Sequence, residues 1–568
     1  MIKESDFASE AARYLSEIQW AAPSHTEFNS DYENQKLYNG GNTGIDSNFS
    51  LQELNTIIDA QKNNKAPGPD NYTAELIKWL DQDNRGKLLD IYNNILDNDV
   101  YPESLKLANI VSIYKKGDAT KMQNYRPIAL LQVLYKLFAA MIKNRLLQTY
   151  EPWVQASQFG FRPKKSIAQA IFIGRRLMDI SERTGTNLTI TLLDWKMAFD
   201  KVDQQKLLQV LRRLQVPTRM LRAITHIYDN PQFRVSAVHT ESEYQIQHSG
   251  IRQGCPLSPY LFVLLMAAMF SDIKSRLNTP KQREPIKGIQ YCEVLYADDT
   301  LIFGNYTYHV NMPLKEIQTE SRYYNMELNL DKCINLTLNR KQSSIKFADG
   351  SLVPRKHTAT YLGTLLTDTV DNKQEVMNRI TDSIRTCNRL KLFWTKALNS
   401  VPWKIQVFHS ILRSKLLYGL ETIQLNQSEL RRLDAFQIKG YRRILHIPPT
   451  SVDRTITNAA IKELIKRQYG VTVVEFSKLW LKRKIQLLGH IIRSDPQDPM
   501  RQVLFLPNSL IPRTEHVRRI GRPRAHWLIE TYADAYRESG HVDQFDINNI
   551  LQRNLVNELA QQRLNIFS

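Results

Sequence analysis

Apolar residues recur at helical spacing through most of this chain, and the exceptions are short β-rich runs, two of which lead into aspartates. Leu51, Leu54, Ile57 and Ile58 share one helical face, opened by Ser50 and Glu53 at capping-box spacing. That helix stops before Lys65-Ala-Pro-Gly-Pro-Asp70, where two prolines and a glycine force a turn, and another helix is predicted from about Thr73 to Leu80. Ile110–Tyr114 reads as a strand. A helix is predicted from Leu130 to Arg145, with Leu131, Leu134, Leu137, Phe138, Met141 and Ile142 on one side. Leu188–Leu193 is a β-rich run that delivers Asp194, and Lys206–Leu214 returns to helical spacing. A buried helix begins near Pro256 and runs to about Leu277. Val294–Phe303 reads as two short strands interrupted by Asp298 and Asp299, and from Val376 to Leu445 the pattern is helical and basic. Residues 1–50 are polar, with Asn and Gly clustered between Asn39 and Asn48, and read as a linker.

A chain of 568 residues with 42% hydrophobic content has room for two to four domains and a large core. The longest apolar run, Leu261 to Phe270, is half of what a membrane span requires, and the acidic N-terminus lacks the pattern of a signal peptide. The expectation is a soluble, intracellular protein. The net charge of +19 points to a polyanionic partner. Its distribution sharpens that: residues 1–50 hold 3 basic and 8 acidic side chains, net −5, and residues 371–568 hold 32 and 18, net +14. A merely solvated basic surface is the alternative. The four cysteines, Cys255, Cys292, Cys333 and Cys387, form no CxxC pair, so neither a zinc site nor a disulfide framework is expected.

Tyr296-Ala297-Asp298-Asp299 sits among Val294, Leu295, Leu301, Ile302 and Phe303. Adjacent carboxylates amid apolar residues repel each other and are costly unless neutralised. Divalent magnesium prefers carboxylate oxygen and leaves positions open for water or phosphate. A tight Asp-Asp turn capped by its own side chains is the plainer alternative. Asp194, at the end of its own apolar strand, adds a third acid, and three acids on two neighbouring strands suit two ions in line with a phosphoryl displacement. Read alone, Asp194 and Asp200 are also good helix caps. Gly250-Ile-Arg252-Gln253-Gly254-Cys255-Pro256 is a glycine-bounded loop that lets backbone approach a base or sugar. Lys115, Lys116 and Arg126 offer fixed cations for a triphosphate, against the alternative of a solvated basic loop.

In this order, Lys65-Ala-Pro-Gly-Pro-Asp70, Asn124-Tyr-Arg-Pro-Ile128, Gln158-Phe-Gly-Phe-Arg162, Asp194 with Ala198-Phe-Asp-Lys-Val202, Arg252-Gln-Gly-Cys-Pro-Leu-Ser-Pro259 and Tyr296-Ala-Asp-Asp299 resemble the reverse transcriptase of non-LTR (LINE-type) retrotransposons. Asn329-Leu-Asp-Lys332 and Tyr361-Leu-Gly363 resemble its two later palm motifs, and the likeness covers about residues 50–370. It implies an α+β right-hand polymerase: fingers over 51–187, palm over 188–370 with a small antiparallel sheet backed by helices, and a helical thumb over 371–450. The reverse transcriptase domain would span about 96–368, and a basic, mainly helical region would follow over 451–568.

The resemblance also implies roles. Asp194, Asp298 and Asp299 would bind two Mg2+ ions. Lys115 and Arg126 would hold the triphosphate, Phe199 would exclude a ribose 2′-hydroxyl, and Gln253 and Gly254 would line the nucleotide pocket. Lys332 would protonate pyrophosphate, and Tyr361, Leu362 and Gly363 would grip the primer. Read without the family, Phe199 is a core aromatic. Trp195 and Met197 are bulky departures inside the first acidic motif. The implied partners are an RNA template, a DNA primer and deoxynucleoside triphosphates, and the implied compartment is the nucleus. Gly521-Arg-Pro-Arg524 suits an A·T-rich minor groove or a solvated loop equally. About 50 residues ahead of the polymerase are too few for a nuclease domain, so a partial element or a nick made elsewhere is expected. A catalytically inactive nucleic-acid-binding remnant and an RNA-templated RNA polymerase are the rival readings.

Overall fold

A computed structural model describes residues 7–538 apart from 24–29, 42–43, 99, 238–239, 278–283, 340–343 and 514–525. Gly521-Arg-Pro-Arg524 lies outside the described residues.

Two four-stranded sheets organise the first two thirds of the chain. One has the order β2-β1-β4-β5, from β1 (Leu107–Tyr114), β2 (Tyr125–Leu131), β4 (Gln232–Val235) and β5 (Gln245–Ile246). The other has the order β6-β7-β3-β8, from β3 (Leu188–Leu193), β6 (Glu293–Tyr296), β7 (Asp299–Gly304) and β8 (Ile334–Leu338). β3 is antiparallel to both β7 and β8 and is buried at all six positions. One face is apolar through Leu188, Ile190 and Leu192, and the other buries Thr189 and Thr191 with Leu193. Leu188, Ile190 and Leu192 join a cluster with the Ile167–Thr184 helix, and Leu193 joins the larger cluster that holds the Ser258–Arg276 helix. The sheet is thereby covered by a helix layer on each side. Ser258–Arg276 is apolar nearly all round, as a fully enclosed helix must be, and Pro259 sits in its first turn.

Four expectations need correction. The polar N-terminal stretch is no simple linker: Phe7–Tyr14 is a helix, and Ala8, Ala11, Ala12, Leu15 and Trp20 are buried in the main core. Leu130 and Leu131 belong to β2, because their ladder to β1 outcompetes local helical spacing, and the helix is Val133–Tyr150. Asp200 caps no helix; Asp203 does, accepting from the backbone N–H groups of Gln205 and Lys206. The fingers–palm boundary at 187 does not follow the packing either. Ile167–Thr184 lies against the β6-β7-β3-β8 sheet, while β4 and β5 extend the sheet of β1 and β2.

The helices Asn372–Arg389, Val401–Phe408, Gln427–Ile444 and Asn458–Tyr469 enclose a separate core around Trp394, Phe408, Phe436 and Tyr441. One helix, Phe476–Arg493, belongs to two cores at once. Its Phe476 and Trp480 lie in this cluster, and its Leu487, Leu488 and Ile491 lie in the cluster under β3. The segment after it stays on the second cluster through Met500, Val503, Phe505, Trp527 and Tyr532. Among the described residues no helix is long and apolar enough to cross a membrane.

Candidate active site

Strand register brings the acids together. Leu193 pairs with Thr300, so Asp194 leaves β3 beside Asp299, and Tyr296 pairs with Asp299 across a two-residue loop of Ala297 and Asp298. Burial raises the pKa of Asp298, Asp194 raises it further, and Arg126 opposes the rise. Asp299 is raised to about 6, first by burial, then by Asp298 and Asp194. The three carboxylates therefore share one electrostatic neighbourhood at one end of one sheet.

The loop that carries them is held from several sides. Ala297 has φ +57°, a left-handed conformation that an alanine adopts at a cost. Gln158, fully buried, keeps it there: its Oε1 accepts from the N–H groups of Ala297 at 3.0 Å and Gly160 at 2.8 Å. A Cβ on Gly160 would come within 2.2 Å of the Ala297 nitrogen, so only glycine allows this approach. Ser157 and Phe159 exchange backbone hydrogen bonds with Leu295 on either side. The Gln158-Phe-Gly-Phe-Arg162 motif is thus a clamp on the acidic hairpin, a job its residue types alone did not reveal. Trp195 ties the first acidic strand to the second: its indole N–H donates to Thr300 Oγ1 at 3.0 Å. Met197, the other departure, occupies a left-handed position (φ +45°) and is exposed.

Cations face the acids. Lys332 Nζ lies 3.6 Å from Asp194 Oδ2, on a turn held by a hydrogen bond from Asn329 N–H to the Asp194 carbonyl. Lys115 and Arg126 stand near the ends of β1 and β2, where Ile113 pairs with Arg126. The Lys115 pKa is lowered by partial burial, then by Arg126 and Lys332, against a rise from Asp200. Those three cations are close enough to feel one another.

Phe199 stacks on Phe262, centroids 4.3 Å apart, and meets Phe161 edge-on at 6.0 Å. Gln253 donates through Nε2 to both oxygens of Asp200, at 3.2 and 3.3 Å. Gly254 (φ +136°) has no room for a Cβ, which would fall 2.3 Å from the Ala129 carbonyl oxygen. The Gln253 carbonyl in turn accepts from Ala129 N–H, joining this loop to β2. Tyr361 ends β9 (Thr358–Tyr361), and Leu362 (φ +47°) and Gly363 (φ +72°) turn the chain into β10 (Thr364–Thr367). Residues absent from the sequence reading hold that turn. Tyr418 donates its hydroxyl to the Leu362 carbonyl at 3.0 Å, and Arg379 donates to the Gly363 carbonyl.

Among the described residues no three acidic, imidazole or thiol side chains converge as a ready cation cage. Burial first, and then the neighbouring acids, hold Asp298 and Asp299 above the usual carboxylate range. The donor set itself fits a hard divalent cation: all carboxylate oxygen, partly desolvated, and favoured in its charged form by added positive charge.

Residues 113–366 match the family described as "Reverse transcriptase (RNA-dependent DNA polymerase)", a span that contains all the residues just placed except Tyr418 and Arg379. This part of the chain is a reverse transcriptase domain. Over a wider span the chain is similar to the polymerases of mobile elements. The RNA-directed DNA polymerase from mobile element jockey of Drosophila melanogaster is 26% identical over 515 residues, which are 85% of this chain and 52% of that protein. The probable RNA-directed DNA polymerase from transposon X-element of the same fly is 26% identical over 494 residues, 83% of this chain and 52% of its own length. The Pol polyprotein from type-2 retrotransposable element R2DM is 27% identical over 271 residues, 48% of this chain and 25% of that one. The chain thus spans about half the length of the jockey and X-element proteins. Among solved structures, an apo telomerase from Candida tropicalis superposes on 48% of this chain and 55% of its own, with a TM-score of 0.34 at 13% identity, too low to add to the argument.

Proposed function

We propose that this chain is an active RNA-templated DNA polymerase that extends a DNA 3′ hydroxyl with deoxynucleoside triphosphates. One observation carries the proposal: strand register gathers Asp194, Asp298 and Asp299 at one sheet end, with Lys115, Arg126 and Lys332 opposite. Asp194, Asp298 and Asp299 would hold two Mg2+ ions, which when bound lower the pKa of the primer hydroxyl and neutralise charge on the triphosphate and the leaving pyrophosphate.

The chain's own side chains do the rest. Lys115 and Arg126 bind and orient the triphosphate, their charges fixed before the transition state develops. Lys332, exposed and beside Asp194, is placed to hand a proton to the departing pyrophosphate. The Phe199 ring, wedged between Phe262 and Phe161, cannot yield to a 2′-hydroxyl without breaking both contacts, and so selects deoxyribose. Gln253 and Gly254 line the nucleotide pocket, and Tyr361, Leu362 and Gly363 support the primer end. The RNA template and DNA primer lie along the basic helical C-terminal third, and work in the nucleus follows from the family's way of life.

The test is primer extension by purified protein on an RNA template with an annealed DNA primer, deoxynucleotides and magnesium. Wild-type protein extends; Asp298→Asn loses at least about a thousandfold in rate, since its transition-state charge stabilisation goes. Extension that survives Asp298→Asn sinks the assignment. Tight, steeply salt-dependent binding without synthesis would establish the inactive remnant instead.

A further inference from the structure

We infer that Trp20 is a positioning residue for the incoming nucleotide, acting through Asp200 on Gln253. The inference rests on the polymerase reading above and adds the N-terminal segment to its nucleotide pocket.

The segment from Phe7 to Trp20 is built into the domain. Its helix widens by one residue per turn over Leu15–Gln19, closed by Trp20 N–H to the Leu15 carbonyl at 2.7 Å. Phe7 meets Tyr125 edge-on at 5.8 Å, next to Arg126 on β2. At the other end Trp20, 2% exposed, meets Phe233 of β4 edge-on at 4.8 Å. The Lys201 ammonium donates to the Ile18 carbonyl at 3.0 Å. With both aromatic ends seated, the indole has one direction left for its N–H. It donates to Asp200 Oδ1 at 3.0 Å.

Asp200 is 6% exposed and, among the described residues, forms no ion pair at contact distance; amide and indole groups hydrogen-bond to it. Gln19 adds a further side-chain hydrogen bond, and Lys115 acts on it from a distance. The backbone around it is fixed. Ser249 Oγ donates to the Asp200 carbonyl at 3.2 Å, and a Cβ on Gly250 (φ +79°) would sit 2.7 Å from that same oxygen. The carboxylate plane is the remaining degree of freedom, and Trp20 sets it. That plane then determines Gln253. A carboxylate only accepts, so the amide nitrogen of Gln253 must face it, which leaves Oε1 as the atom available to a donor on the nucleotide. Without the indole the carboxylate rotates, the amide loses its two-point hold, and Gln253 presents either atom. Binding of the nucleotide suffers; the acids that perform the transfer are untouched.

The experiment is steady-state primer extension on poly(rA) with an oligo(dT) primer, varying deoxythymidine triphosphate. Trp20→Phe keeps an aromatic ring for Phe233 and removes the N–H together with part of the indole's volume, so the comparison with Asp200→Asn and the Gln253→Ala background separates the hydrogen bond from packing. Trp20→Phe is expected to raise the KM for the nucleotide about fivefold and to leave kcat within about twofold. In a Gln253→Ala background the same substitution changes nothing further, because the path it acts through is gone. Asp200→Asn, which leaves the N-terminal segment intact, carries the same expectation of a raised KM. An unchanged KM in both Trp20→Phe and Asp200→Asn, or a Trp20→Phe effect of equal size with and without Gln253, overturns the inference. No extension by wild-type protein removes the polymerase reading and this inference together; extension with an unaltered KM removes this one alone.

Discussion

On the β6-β7-β3-β8 sheet the aspartates ride on backbone pinned from several sides, whereas Lys115 and Arg126 reach out from the exposed end of β1 and β2. Gln158, Gly160 and Trp195 all bear on the acidic hairpin. Among the described residues neither Lys115 nor Arg126 forms an ion pair, and both side chains are exposed. The difference follows from sign and task. Like charges drift apart unless backbone restrains them, so the acids need a rigid mount. Cations that receive a triphosphate from solution must be open to it, and water supports them until it binds. If that is right, substitutions behind the acids damage fold and chemistry together, and substitutions of the cations damage binding alone.

The strongest break comes at Gln158, which touches no acid side chain. Gln158→Ala leaves the N–H groups of Ala297 and Gly160 without partners inside the core. The expected loss of stability is about 2–4 kcal/mol, read from a denaturant midpoint. A misplaced hairpin is expected to lower kcat about a hundredfold in single-turnover extension. Retained kcat would mean that the clamp serves folding only.

Arg126→Ala is the complementary test, with a smaller effect. Nucleotide KM is expected to rise about tenfold, the weight of one charge-assisted contact to phosphate. Its denaturant midpoint should match wild type, because the side chain is exposed. A destabilised Arg126→Ala would erase the contrast between the two sheets.

The acids were legible because their signals are local: a β-rich run that ends at Asp194, and paired aspartates between apolar flanks, which recur as β3 and the β6–β7 hairpin. The clamp was not, since Gln158 and Leu295 meet only after folding. The N-terminal helix did leave a trace. Ala8, Ala11, Ala12 and Leu15 have the i, i+3, i+4, i+7 spacing of a buried face, masked by small side chains and a polar average. Leu130 and Leu131 misled for the opposite reason, apolar spacing that fits a helix but is claimed by β1. Asp203, with amides to cap just after it, carried the capping signal that Asp200 seemed to offer three residues earlier.

The smallest expected effect concerns a third region, where the helices after β10 meet the Tyr361–Gly363 turn. Tyr418 donates to the Leu362 carbonyl, and its ring lies beneath the Arg379 guanidinium at 4.9 Å. Its pKa is raised by burial, with Tyr296 and Asp299 adding to the rise, so this phenol also lies near the acidic hairpin. Tyr418→Phe removes one neutral hydrogen bond and keeps the ring, a loss of about 0.5–1.5 kcal/mol. Primer affinity should fall about three- to tenfold, with nucleotide KM unmoved. That pattern is the mirror of Trp20→Phe. A shift in nucleotide KM instead would mean that the turn and the nucleotide pocket move as one body, and that the division between mounted acids and reaching cations does not extend to the primer side.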